Sequence, residues 1–396
     1  MARLPSLRLS AAFSALTTHH SAFIIVVAAL LARPGPAAGK PVYRALKHIS
    51  LDIRTEKPTF VCLEGIDLLD RGRLAWFGRP LENRSSMFVL DLKTMEERLL
   101  LIPDIPGPWI VPKDLMVMDR PLFHDTENGT AGLLLRMGGV VSGDAEYAEW
   151  DLNADRLVRR LPLAAVKGGP WLSVRLIGYD PAKRECFIEV VRPAGTGVEK
   201  PGGTGGGPYE LTVLAVTDKV RTVASFKTKL RYTSSSPYFD PLHRRSMHVE
   251  YNEYKGAESF MHLVDLDTGA VRDFPIPPVV YGFAFDPDGK TGYVYSHTEK
   301  TVYRLDLETG KRGKSRVFGQ LGHVLDFIAP NMLVLGRNAG MHFIDSRTLA
   351  QKDFLPAGDF HKGSTHLEGS IFMPGRALVR IFYDLYVLEF PDLLPK

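Results

Sequence analysis

Residues 279–319 read VVYGFAFDPDGKTGYVYSHTEKTVYRLDLETGKRGKSRVFG. The segment holds four short runs rich in aromatic and β-branched residues, separated by turns. Tyr281 to Phe285 is the first run. Asp286-Pro287-Asp288-Gly289 then turns the chain, with Pro to set φ and Gly to admit positive φ. Gly292 to Ser296, Thr301 to Leu305 and Lys314 to Phe318 are the second, third and fourth runs, with Glu308-Thr309-Gly310 as a further turn. Four antiparallel strands in about 40 residues make one blade of a β-propeller.

The third run and its turn recur along the chain. The copies are FVLDLKT (88–94), AEWDLNA (148–154), TVLAVTD (212–218), HLVDLDT (262–268), YRLDLET (303–309), HFIDSRT (342–348) and YVLEFPD (386–392). Their fourth position holds Asp91, Asp151, Ala215, Asp265, Asp306, Asp345 and Glu389. The residue before it is apolar in every copy, as a core-facing strand position requires. Second strands match at LAWFG (74–78), GLLLRM (132–137), CFIEVV (186–191), MHVEY (247–251), GYVYS (292–296), MLVLG (332–336) and ALVRIF (377–382). Two repeats in one register predict an all-β, seven-bladed propeller of four-stranded antiparallel blades. The last copy ends the chain too early for its own fourth strand. Val42 to Leu51 (VYRALKHISL) can supply that strand and close the ring.

A ring accounts for the length. With 396 residues the chain exceeds the ~250–300 at which single cores stop growing. The formal charge of +4 comes mostly from Arg3, Arg8 and Arg33. Beyond residue 39 there are 46 basic and 45 acidic residues, so no basic stripe argues for nucleic acid. Those first residues read as an export signal, with a basic start, an apolar run from Ser21 to Ala32, and small residues Pro36-Ala37-Ala38-Gly39 at a cleavage point. An uncleaved anchor is the alternative, because Arg33 directly follows the apolar run. The expected organisation is a signal over 1–39 and one propeller over 40–396, periplasmic or secreted, with no membrane span in the mature chain. Cys62 and Cys186 both lie in apolar strand-like runs and read as core thiols.

Residues 279–319 resemble the YVTN-type β-propeller repeat of exported bacterial proteins. The matching residues are Asp286 to Lys290, Tyr293-Val294 and Asp306-Leu307-Glu308-Thr309-Gly310, while Tyr295-Ser296 departs from the Thr-Asn of that family. The resemblance implies fold and carries no catalytic residue. Its relatives include binding scaffolds, surface-layer proteins, lactonase-like enzymes and heavy subunits of quinoprotein amine dehydrogenases.

Candidate recognition residues fall on the face built from connections between blades and between second and third strands. Gly107-Pro108-Trp109 and Gly169-Pro170-Trp171 repeat in equivalent connections. Their rings suit stacking on a ligand or partner, and equally suit plugs between blades. Arg231, Tyr281, His323, His361 and His366 sit on the same predicted rim. Asp359 is close in sequence, so an acid–base or metal cluster is conceivable there, but no His pair has local metal spacing. The insertion 193–208 (PAGTGVEKPGGTGGGP) lacks the GxxxxGK of a phosphate loop, and neither GxSxG nor HExxH occurs. The resulting expectation is a scaffold that binds an unidentified protein or small molecule at its rim, with no catalytic residue, metal or cofactor assigned. The competing expectation is a metal-dependent lactonase-like hydrolase, or the heavy subunit of a quinoprotein dehydrogenase.

Overall fold

The computed structural model describes residues 41–50, 61–62, 67–69, 72–80, 86–101, 123–137, 144–154, 156–163, 173–193, 209–228, 237–250, 259–277, 280–318, 322–337, 339–362, 367, 369–381 and 384–394. The chain divides into two units, Met1–Gly39 and Lys40–Lys396, and every described residue lies in the second.

That unit is a ring of seven antiparallel blades. Strand β1 (Arg44–Ser50) precedes them in the chain. Blade one contains β2 (Val61–Cys62), β3 (Asp67–Leu69), β4 (Leu74–Pro80), β5 (Ser86–Asp91) and β6 (Glu97–Leu101). Its first strand is interrupted, since β2 and β3 both pair with β4. Blade two is β7 (Phe123–Asp125), β8 (Thr130–Met137), β9 (Asp144–Asp151) and β10 (Arg156–Pro162). Blade three is β11 (Ser173–Asp180), β12 (Glu185–Pro193), β13 (Tyr209–Val216) and β14 (Val220–Lys227). Blade four is β15 (Tyr238–Asp240), β16 (Arg245–Glu250), β17 (Ser259–Asp265) and β18 (Val271–Ile276). Blade five is β19 (Val280–Phe285), β20 (Thr291–Ser296), β21 (Thr301–Asp306) and β22 (Arg312–Val317). Blade six is β23 (Gly322–Ala329), β24 (Met332–Arg337), β25 (Gly340–Asp345) and β26 (Gln351–Pro356). Blade seven is β27 (Gly369–Met373), β28 (Arg376–Ile381) and β29 (Asp384–Glu389), completed by β1.

The closing strand pairs as expected, with Arg44 opposite Glu389 and Ser50 opposite Asp384. Both Arg44 and Arg376 reach the buried Glu389 carboxylate, so the last copy of the repeated acid ties the chain's two ends together. First strands of successive blades touch around the axis, among them β11 with β15, β15 with β19, β19 with β23, and β23 with β27.

The residue before the repeated acid is buried in every blade: Leu90, Trp150, Leu214, Val264, Leu305, Ile344 and Leu388. Stacked blades bury both faces of their middle strands, so the core is a series of seams between blades. Cys186 is free and lies in one of these seams, where burial pushes its thiol well above the ordinary value. Among the described residues no helix is long and apolar enough to cross a membrane.

Candidate functional site

The two faces of the ring are built differently. One face carries the tight turns that join first to second and third to fourth strands. There the repeated aspartate is a turn cap. Asp91 Oδ1 accepts the N–H groups of Lys93 and Thr94 at 2.9 and 3.1 Å. Asp306 Oδ1 accepts those of Glu308 and Thr309 at 2.9 and 2.7 Å. Asp151 and Asp265 do the same in their own blades. The backbone donors hold the Asp151 and Asp306 carboxyls below the usual carboxylate range. Four residues after the aspartate the chain turns left-handed, at Gly269 and Gly310 but also at Met95 and Leu349. A side chain is strained at that φ. Leu349 is fully buried, and its packing offsets the strain.

The other face carries the connections between blades and between second and third strands. Here the first strands of blades five and six each contain a β-bulge. Val280 pairs with Ser296 and Gly282 with Tyr295, so Tyr281 is the extra residue. Gly322 pairs with Arg337 and Val324 with Gly336, so His323 is the extra residue of its strand. Tyr281 thus stands in the strand expected of it, and His323, expected in a rim connection, also stands in a strand, at the same end of the neighbouring blade. Bulges of this kind re-aim a side chain at a rim. The Tyr281 ring meets His297 edge-on at 4.5 Å, and its carbonyl accepts the Tyr238 hydroxyl at 3.2 Å.

A cavity of about 510 Å³ lies along the first strands of blades four to six, from Tyr281 at this face to Leu242 and Pro287 at the turn face. Three carboxylates line it. Asp240 is held by Arg245 at 2.7 Å and His243 at 3.0 Å. Asp286 accepts the Tyr293 hydroxyl and the Asp288 N–H, both at 2.9 Å. Asp326 accepts only its neighbour's N–H, from Phe327 at 2.7 Å, among the described residues. It opens to the lumen, yet the surrounding chain desolvates it and pushes its carboxyl up to about 6.

His361 lies between blades six and seven. Its Nδ1 is 2.7 Å from the Tyr386 hydroxyl and 3.5 Å from Asp384 Oδ2. His48 of the closing strand takes Asp384 Oδ1 at 2.9 Å and stacks on Tyr386 with ring centroids 4.5 Å apart. Burial and the Asp384 charge raise the Tyr386 phenol. The geometry joins His361 to the closing strand. Trp109, Trp171, Arg231 and His366 lie outside the described residues. Among the described residues no group of three or more His, Cys, Asp or Glu side chains gathers as metal ligands.

The sequence reading missed a buried polar seam between blades three and four. Arg244, in the turn before β16, binds Asp180 and Glu185 of blade three and reaches Asp267 at 2.8 Å. Farther along, Glu189 meets His248 Nδ1 at 2.5 Å, and His248 Nε2 meets Ser246 Oγ at 2.9 Å. His262 then bonds Glu250 and, at 2.8 Å, Asp273. Ser246, His248 and Glu189 follow the order of a nucleophilic triad, but Ser246 is fully buried, so the arrangement is a joint between blades. Its one sequence signal is the alternation of Arg244, Ser246, His248 and Glu250.

The chain matches no family model and no curated protein. Among solved structures it is similar to a chain of the mitotic checkpoint complex, with a TM-score of 0.56 and 9% identity over 98% of both chains. It is also similar to the Neurospora crassa Pan2 WD40 domain, with a TM-score of 0.56 and 11% identity over 91% of this chain and 99% of that one. At such identities the likeness is one of fold: the protein is a seven-bladed β-propeller, and solved structures with this fold include a WD40 domain.

Proposed function

We propose that the protein is an interaction scaffold of YVTN type, exported by residues 1–39, that recognises a ligand or protein partner at its loop-bearing face without covalent chemistry. The asymmetry between the two faces carries this reading. One face is closed by short, capped turns, whereas the other bears long connections, such as those from Leu101 to Phe123 and from Pro193 to Tyr209. Long connections on a rigid ring are where binding residues concentrate. Trp109, Trp171, Arg231 and His366 belong to those connections, and Tyr281, His323 and His361 stand beside them. A propeller of similar fold comes from the mitotic checkpoint complex, which accords with a scaffold role.

The test is cross-linked capture of partners by the tagged full chain in its source cells. A Trp109→Ala, Trp171→Ala double variant should lose the partner at least tenfold, and Lys311→Glu on the turn face should keep it. Equal capture by the double variant overturns the reading. Export is checked by mass spectrometry of the mature N-terminus after cell fractionation. An intact Met1 in the cytoplasm defeats it.

A further inference from the structure

Among the described residues, no side chain balances the charge of Asp326 in the central cavity. Asp326 stands in the middle of β23, opposite Val334, and its carboxylate opens to the lumen. Of the three carboxylates lining the cavity, Asp240 and Asp286 are bound by side chains of their own or neighbouring strands. The Arg245 guanidinium is taken by Asp240 and by the Gly289 carbonyl at 2.6 Å. Among the described residues Asp326 has neither a cation nor a hydroxyl partner. A carboxylate that lines a cavity between protein walls and has no counter-charge beside it attracts a cation more strongly than one on the open surface.

The walls favour an organic cation. Tyr238 and Tyr281, both half-buried, line the same cavity, and aromatic faces attract ammonium and guanidinium groups. The volume of about 510 Å³ lies within the range of small-ligand sites, about 300–1,000 Å³. The bulge at Tyr281 places that residue where the cavity meets the loop-bearing face.

We propose that this cavity binds an organic cation, an ammonium or guanidinium head group seated on Asp326 with Tyr238 and Tyr281 as aromatic walls. The cation comes from a free amine or from a lysine or arginine side chain of a partner. The inference rests on the loop-bearing end of the channel being a recognition centre, and it names the chemistry recognised there.

The test is calorimetric titration of the full chain with n-butylammonium, n-butanol and a lysine-containing peptide. The amine and the peptide should bind, and the isosteric alcohol should not. Asp326→Asn should weaken amine binding at least tenfold while the variant keeps the wild-type thermal transition. Wild-type binding should fall about tenfold from pH 7 to pH 5, since the carboxyl titrates near 6. An ordinary aspartate would barely change over that range. A peptide at least tenfold tighter than butylammonium identifies a partner side chain, and equal affinity identifies a free amine. The proposal fails if butanol binds as well as the amine, if Asp326→Asn binds normally, or if calcium displaces the amine at micromolar concentration. Failure here leaves partner capture by the loops measurable by itself, because Asp326→Asn leaves those connections intact.

Discussion

The seam between blades three and four and the seam between blades six and seven are both buried, but they are built from opposite materials. Between blades six and seven, Val334, Met341, Phe343 and Leu355 pack on Ala377, Val379, Leu388 and Phe390, with the Phe343 and Phe390 rings 5.1 Å apart. Between blades three and four, Arg244 meets Asp180 and Glu185, and His248, bonded to Ser246 in its own strand, meets Glu189. The alternate residues of β16, Met247 and Val249, face blade five and are apolar. An apolar seam contributes through area removed from water and accepts many partners. A charged seam contributes little net energy, but its carboxylates need the partners that the neighbouring blade supplies, so a mispaired blade would bury uncompensated charge. The first kind of joint holds the ring together, and the second specifies which blades are neighbours.

Breaking one partner of the polar seam should have the largest effect. Arg244→Met takes the guanidinium from Asp180, leaves Glu185 with Arg221 alone, and should cost about 3–5 kcal/mol in urea unfolding at neutral pH. Leu388→Ala, in the apolar seam, should cost about 3 kcal/mol through a cavity, with no change in salt dependence. The sharpest contrast comes from His248→Leu, which should cost about 3 kcal/mol by orphaning Glu189. Adding Glu189→Leu should return stability to within about 1 kcal/mol of wild type. If the double variant is as unstable as the single one, the polar seam is a stabilising device and the comparison is wrong.

The pH dependence separates the seams further. Burial opposes the charge on His262, but hydrogen bonds and attraction from Glu250 and Asp273 outweigh it and raise its pKa above the ordinary 6.5. A raised histidine contributes stability that is complete below pH 6.5 and is lost as pH rises through the elevated value. Unfolding free energy measured from pH 6 to pH 9 should therefore fall in wild type and in Leu388→Ala. The fall should be reduced in His262→Gln, and an unchanged slope there refutes the assignment. The smallest effect is expected at the ring closure. Arg44 is exposed and Arg376 also holds Glu389, so Arg44→Ala should cost about 0.5–1 kcal/mol. Unfolding of that variant in urea, compared with wild type, measures the contribution of this single clasp.

Much of the ring was legible from local pattern. LAWFG, CFIEVV and GYVYS fall inside β4, β12 and β20, and the closing strand lies within the predicted 42–51. Such runs are visible because strand periodicity and turn chemistry act over a few residues. The interrupted first strand of blade one carried no repeat signal. Asp326 carried no sequence signal, because its place in the cavity depends on what three separate blades put around the lumen. The seam went unread for a related reason. RSMHVE alternates like a strand with one wet face, but stacking inside the ring buries that face too.

The sequence by itself determined the number of blades, the turn positions and the strand that closes the ring. Each follows from side chains within a few residues of one another. Tertiary structure alone decided which polar residues became buried partners, which carboxylate faces the channel with no cation among the described residues, and which residues the bulges placed at its mouth. Those outcomes depend on charges and backbone groups contributed by blades far apart in the chain, and they exist only once the ring has closed.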